Sequence, residues 1–116
     1  MNDAFWKTLQ ELLATSEIVI DRPKDQPHPR YPARTYPLDY GYLSNTTSSD
    51  GGGIDVWLGS QGGRKLTGIL CTFDTIKRDA EIKLLAGCTP TDVQTILAFH
   101  GDAMRAIFIP YPGAAQ

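Results

Sequence analysis

The chain is poor in the residues that build disulfide and soft-metal chemistry. Its 116 residues include two cysteines and two histidines. Cys71 and Cys88 form neither a CxxC pair nor a disulfide framework, so both read as reduced core thiols of a cytoplasmic protein. His28 and His100 have no partners at metal-ligand spacing and read as structural, His100 as a cation suited to a helix end. Positive charge is not in excess: Lys+Arg 11 against Asp+Glu 13 leaves a net charge of −2, which argues against a nucleic-acid partner. No apolar run approaches the length a bilayer demands, so no membrane partner is expected. "MNDAFWKTLQELL" has early acids and no apolar h-region, and does not read as a signal peptide. No repeat or linker divides the chain, and a single domain over 1–116 is expected.

What is present is mostly strand. Phe5, Leu9, Leu12 and Leu13 recur at helical spacing and predict an amphipathic N-terminal helix. "SEIVIDRP" reads as a strand stopped by Pro23. Prolines 23, 27, 29, 32 and 37 then impose an extended arm, poor in ladder hydrogen bonds. "IDVWL" is a strand with Ile54, Val56 and Leu58 on one face, Asp55 and Trp57 on the other. "KLTGILCTFD" and "DAEIKLLAG" predict an antiparallel hairpin with Asp74 and Asp79 together at its mouth. In "TPTDVQTILAFHG", Thr89 is the N-cap, Pro90 the first helical residue and Asp92 the capping-box acid; Val93, Ile96 and Leu97 form the buried stripe and Gly101 the stop. "MRAIFI" closes as a strand, and "PYPGAAQ" reads as a frayed tail. The expected class is mainly β within α+β: a small antiparallel barrel flanked by an N-terminal and a C-terminal helix.

Two sets of residues carry chemistry. Asp50, Asp55, Asp74 and Asp79 fall where strand pairing would bring them to one barrel end. Singly, each also fits a solvated turn. Together, carboxylates that close must take up protons or hold cations, and an oxygen-only set suits Mg²⁺, with Mn²⁺ as the alternative, rather than Zn²⁺. The proline arm supplies the opposite charge through Arg22, Lys24, Arg30 and Arg34, with tyrosines interleaved. These are donors for phosphate oxygens, or else a solubilising loop whose tyrosines pack over the barrel. Acids for metal beside bases for phosphate is the layout of metal-assisted phosphoryl transfer to water.

At "YPLDYGYL", "DGGGIDV", "CTFDTIKRDAEIKLL" and "IVIDRP", over about Ile18 to Leu85, the sequence resembles the soluble, magnesium-dependent inorganic pyrophosphatases. That resemblance implies an OB-like barrel and Mg²⁺-dependent hydrolysis of pyrophosphate to two phosphates by a metal-activated water. It implies that Asp50, Asp55 and Asp79 hold the activating metal, with Asp55 bridging to a second ion. Asp74 and Asp21 would hold further Mg²⁺ bound with substrate. Arg30 and Tyr40 would contact phosphate, and a homo-oligomer is expected. Asp50, Asp55 and Tyr40 are thus the candidate catalytic residues.

The sequence also departs from that pattern. The middle acid of the signature, a candidate general base, is Gly52 here, which leaves Asp50 and Asp39 as candidates. Glu81 stands where a phosphate-binding lysine belongs, and Lys83, two residues on, keeps the same strand face. Arg34 is the nearest counterpart of an arginine otherwise missing, and a C-terminal Tyr-Lys pair is absent. The expected substrate-binding set is Arg30, Arg34, Tyr40 and Lys83, for pyrophosphate or a related diphosphate. The alternative is a weak or inactive pyrophosphatase-like module that binds Mg²⁺ and a phosphate compound.

Overall fold

The computed structural model describes residues 3–102 and 104–113. Their elements run α1 (Asp3–Thr15), β1 (Ile18–Arg22), β2 (Asp39–Leu43), β3 (Ile54–Leu58), β4 (Leu66–Asp74), β5 (Asp79–Ala86), α2 (Pro90–His100) and β6 (Met104–Pro110). Local signals account for most of them. The Thr89 side chain accepts from the Asp92 N–H at 3.0 Å, and Asp92 accepts from the Thr89 N–H at 2.9 Å, closing the capping box that starts α2. The element that propensity does not reveal is β2, built on Asp and Gly. Its glycine has a tertiary cause: a Cβ at Gly41 would lie 1.9 Å from the Val19 carbonyl oxygen, so β1 can cross there only because the side chain is missing.

The six strands form one α+β sheet in the order β1-β2-β3-β5-β4-β6. The expected small antiparallel barrel is not what the described residues form: the sheet is mixed and does not close. β4 and β5 make the predicted hairpin, with Asp74 opposite Asp79. However, β5 rather than β4 docks on β3, and since the hairpin reverses the chain, that pairing is parallel. The other pairings are antiparallel. The sheet stays open because the far edge of β4 is taken by β6, leaving β1 and β6 as its two edges.

Both faces are buried at the centre of the sheet. α1 covers one, over Val56, Ile69 and Leu84; α2 and the proline arm cover the other, over Trp57, Leu70 and Leu85. Trp57 and Val56 are therefore both fully buried although they point to opposite faces. On α1 the contact is made by Trp6 and Leu13, with Leu9 and Leu12 partly buried, while Phe5, expected in the stripe, is exposed. Gln10 fixes the helix to β4, its Oε1 accepting from the Leu66 N–H at 2.9 Å. The Arg64 guanidinium donates to the Leu13 and Ser16 carbonyls at the α1 C-terminus, where a cation also favours the helix dipole.

The proline arm has more regular structure than its composition suggests. Its two limbs pair: Asp25 N–H donates to Tyr36 O, Tyr36 N–H to Gln26 O, and His28 N–H to Arg34 O, around a Pro27–Thr35 bridge. A turn from Tyr31 to Arg34 closes it. The donors fall on non-proline residues, so the prolines stiffen the limbs without interrupting the bonds. In the tail, the Tyr111 N–H donates to Thr67 O at 2.9 Å and its ring meets Trp6, so it does not fray; residues 114–116 lie outside the described set. No described helix is long and apolar enough to cross a membrane.

Candidate functional site

The face that carries Trp57 changes character along the strands. On β5 it reads Leu85, Lys83, Glu81, Asp79, and on β4 Leu70, Thr72, Asp74, paired across as Leu70 with Lys83, Thr72 with Glu81, and Asp74 with Asp79. The apolar core thus passes into a charged cleft of about 360 Å³, enclosed by the arm and α2. Asp21, Asp50, Asp55, Asp74 and Asp79 all line it, as do Arg34, Tyr40 and Lys83. Six carboxylates, Glu81 included, face four Lys and Arg side chains there. Arg30 is not among the lining residues; its N–H donates to His28 Nδ1 at 3.0 Å and its side chain is left exposed on the arm.

Each acid reaches the cleft by a local device. Asp21 sits in a bulge, between Ile20 opposite Gly41 and Arg22 opposite Tyr40. The extra residue turns Asp21 and Arg22 towards the cleft together. Asp50 is the centre of the triple-glycine loop. Its Oδ1 accepts from Ser48 Oγ at 2.6 Å and the Gly52 N–H at 2.9 Å, while Gly51 supplies the positive φ the turn needs. Those two bonds, Ser48 first, hold the Asp50 carboxyl down to about 2. Asp74 Oδ1 accepts the N–H groups of Lys77 and Ile76 at the hairpin turn, which lowers its pKa. The loop therefore wraps the Asp50 carboxylate itself.

Lys83 organises the inner half of the cleft. Its ammonium lies 2.7 Å from Tyr40 Oη, 2.9 Å from Asp55 Oδ2 and 3.3 Å from Glu81 Oε2, with the side chain only 6% exposed. Burial, reinforced by the Asp55 and Glu81 charges, raises the Tyr40 phenol far above its usual range, so it stays protonated. Glu81 is also raised, by burial first; the Lys83 charge opposes this and a hydrogen bond to Asp50 adds to it.

Aromatic residues form the wall opposite the acids. Arg34 lies 4.2 Å over the Phe99 ring. His28 stacks on Tyr36 with ring centres 5.7 Å apart, and its Nδ1 accepts the Arg30 and Tyr31 N–H groups, so it shapes the arm turn. His100 is not the helix-end cation that its position suggests. It is packed edge-on to Trp57, and burial, with Lys83 and Arg34 nearby, pulls it down to about 4, so it is neutral at pH 7.

Sequence reasoning missed two things. Glu81 and Lys83 act as a pair with Asp55, which the alternation Asp79, Glu81, Lys83 on the Trp57 face already encodes. Asp39, considered as a base, does not line the cleft; its Oδ1 accepts the Lys24 N–H at 2.8 Å and ties down the start of the arm.

The chemistry of the donor set fits a hard divalent cation, because the cleft offers carboxylate oxygens in excess and no cysteine. Even so, among the described residues no three acidic, histidine or cysteine side chains stand close enough to hold one ion together. The cation around which Asp55 and Glu81 are arranged is Lys83. No protein-family model matches the chain, and no curated protein is similar to it.

Proposed function

We propose that the cleft binds Mg²⁺, or Mn²⁺, together with pyrophosphate or a related diphosphate and hydrolyses the phosphoanhydride bond. The observation that carries this is the convergence of five aspartates, from four strands and a loop, with Arg34, Tyr40 and Lys83 on a single cleft. The candidate carboxylates are Asp21, Asp50, Asp55, Asp74 and Asp79. No three of these described residues are assembled around one point, so an ion would be held by one or two of them, with water and phosphate oxygens completing its shell. When bound, it supplies Lewis-acid charge and lowers the pKa of water. The chain's own contribution is to bind and orient. Arg34 would donate to phosphate oxygens. Lys83, whose three donors already meet Tyr40, Asp55 and Glu81, adds positive charge at the inner end of the cleft beside the protonated Tyr40 phenol. The strand order supports the OB-like lineage: a three-strand meander, then a hairpin laid on its last strand, as in a partly open Greek-key barrel. A second copy of the chain is a further expected partner. It would cover Phe5, Phe73, Ile82 and Ile107, which are exposed.

The test is phosphate release from pyrophosphate with and without Mg²⁺. Slow, Mg²⁺-dependent release supports the hydrolase, because a carboxyl held at about 2 makes Asp50 a weak base and residue 52 has no side chain. A second reading is favoured by Lys83, whose ammonium already neutralises Asp55: a module that binds a divalent ion and a phosphate compound without turnover. Saturable pyrophosphate binding with no release at any Mg²⁺ or Mn²⁺ concentration would select it.

A further inference from the structure

We propose that the Lys83 ammonium is a built-in cation of the cleft, standing in for a metal ion at Asp55, so that Asp55 is a lysine partner and not a metal ligand. The inference rests on the reading of the cleft as a cation and diphosphate site, and it settles which carboxylates remain for the ion. An ammonium has three N–H donors and no acceptor. Here the three acceptors within reach are Tyr40 Oη, Asp55 Oδ2 and Glu81 Oε2, at 2.7, 2.9 and 3.3 Å. With its side chain 6% exposed, Lys83 has little water to replace any of them. Its Cα is fixed on β5 between Leu70 of β4 and the parallel edge of β3, where Val56 pairs with Leu84. The ammonium is therefore delivered to Asp55 by the sheet itself. A divalent ion approaching Asp55 Oδ2 would meet a positive charge 2.9 Å from that oxygen. It is excluded there until the lysine leaves, so any ion in the cleft would bind at the carboxylates beyond the reach of Lys83. Glu81 completes the set: it lies where its carboxyl meets Lys83 on one side and Asp50 on the other, joining the inner, lysine-filled half to the outer half.

The experiment is a Mn²⁺ titration of the purified chain without phosphate, followed by calorimetry and by the electron paramagnetic signal of free Mn²⁺. Four proteins are compared: wild type, Lys83→Arg, Lys83→Met, and Lys83→Met combined with Asp55→Asn. Lys83→Met should bind one more Mn²⁺ per chain than wild type, or bind it at least tenfold more tightly, because the inner carboxylates lose their resident cation. Lys83→Arg should behave as wild type. The double variant, in which one positive and one negative charge are removed together, should return to the wild-type titration. It remains informative if Lys83→Met alone does not fold. Lys83→Met binding no more Mn²⁺ and no more tightly than wild type overturns the proposal, and so does a tenfold loss in the double variant, which would make Asp55 a true ligand. In both cases Mn²⁺ binding by wild type leaves the reading of the cleft standing. Absence of Mn²⁺ binding in all four proteins overturns the two together.

Discussion

The two faces of the sheet are built on the same strands and end differently. At the centre both are apolar, under α1 on one side and under α2 with the arm on the other. Towards the mouth of the β4–β5 hairpin the α1 face stays apolar but loses its cover, leaving Ile82 45% and Ile107 61% exposed. The opposite face turns charged and stays covered, with the Glu81 side chain 13% and that of Lys83 6% exposed. Within β5, neighbouring residues thus reverse the ordinary preference, charge inside and isoleucine outside. Burying charge costs several kcal/mol unless partners are supplied. The arm and α2 enclose the row, and its carboxylates and lysine supply one another. The difference shows that the enclosing elements, rather than residue type, decide burial at this end of the sheet.

The comparison breaks most visibly at Trp57, on which the arm, Tyr40 and α2 converge. Trp57→Ala should destabilise the chain by about 3–5 kcal/mol, read from urea denaturation. A loss under ~1 kcal/mol would mean that the arm and α2 do not form a second core.

The next largest effect is a pH dependence on the same face. The His100 imidazole titrates near 4 when folded, against 6.5 as its ordinary value. Since the folded value is the lower one, the unfolded chain takes up the proton first. Stability is full above pH 6.5 and falls between 6.5 and about 4, by up to about 3 kcal/mol. Denaturation midpoints across that range should fall in wild type and fall less in His100→Phe. Parallel slopes in the two proteins would remove His100 as the source.

How much of this was legible follows from where each signal resides. α2 was readable because its cap, Thr89 with Pro90 and Asp92, is local in sequence. So was the hairpin, whose alternation and short turn place Asp74 opposite Asp79. Asp21, Asp50 and Asp55 line the same cleft by a structural route, through a bulge and a glycine loop, that the local sequence does not display. β2 was hidden because Gly41 answers to the backbone of β1, a residue pair far apart in sequence. The parallel β3–β5 pairing, the choice of Trp6 over Phe5 on α1 and the neutral state of His100 depend likewise on what packs where. The arm misled by composition, since its prolines fall between the bonded positions.

Gly52 tests the charged face at the level of rate. It is not at positive φ, and a Cβ there would meet only the Asp50 carboxylate, its Oδ1 at 3.3 Å, so an aspartate can be accommodated if Asp50 shifts slightly. General base catalysis is typically worth ~10²–10⁴ in rate. If the cleft hydrolyses pyrophosphate as proposed, Gly52→Asp should therefore raise kcat for phosphate release by at least about tenfold, with Mn²⁺ affinity nearly unchanged. A folded variant with no gain in kcat would mean that residue 52 does not face the attacking water.

The smallest expected effect lies on the open, apolar side. Ile82 is exposed on the face left bare beyond α1, near Phe73 and Ile107. Surface substitutions away from caps and charge networks usually change stability by no more than ~0.5 kcal/mol, and threonine keeps the β-branch that suits a strand. Ile82→Thr should therefore leave the urea midpoint of the chain almost unchanged. Its effect should appear in assembly instead. If a second copy covers this patch, wild type will scatter light above the mass of one chain, 12.7 kDa, and Ile82→Thr will shift that mass towards the monomer at micromolar concentration. A wild-type mass of a single chain, at every concentration tested, would leave the apolar mouth uncovered in solution and remove the second copy as its partner. A loss of several kcal/mol would instead show that the patch is packed within the chain, and the contrast between the two faces would fail at Ile82.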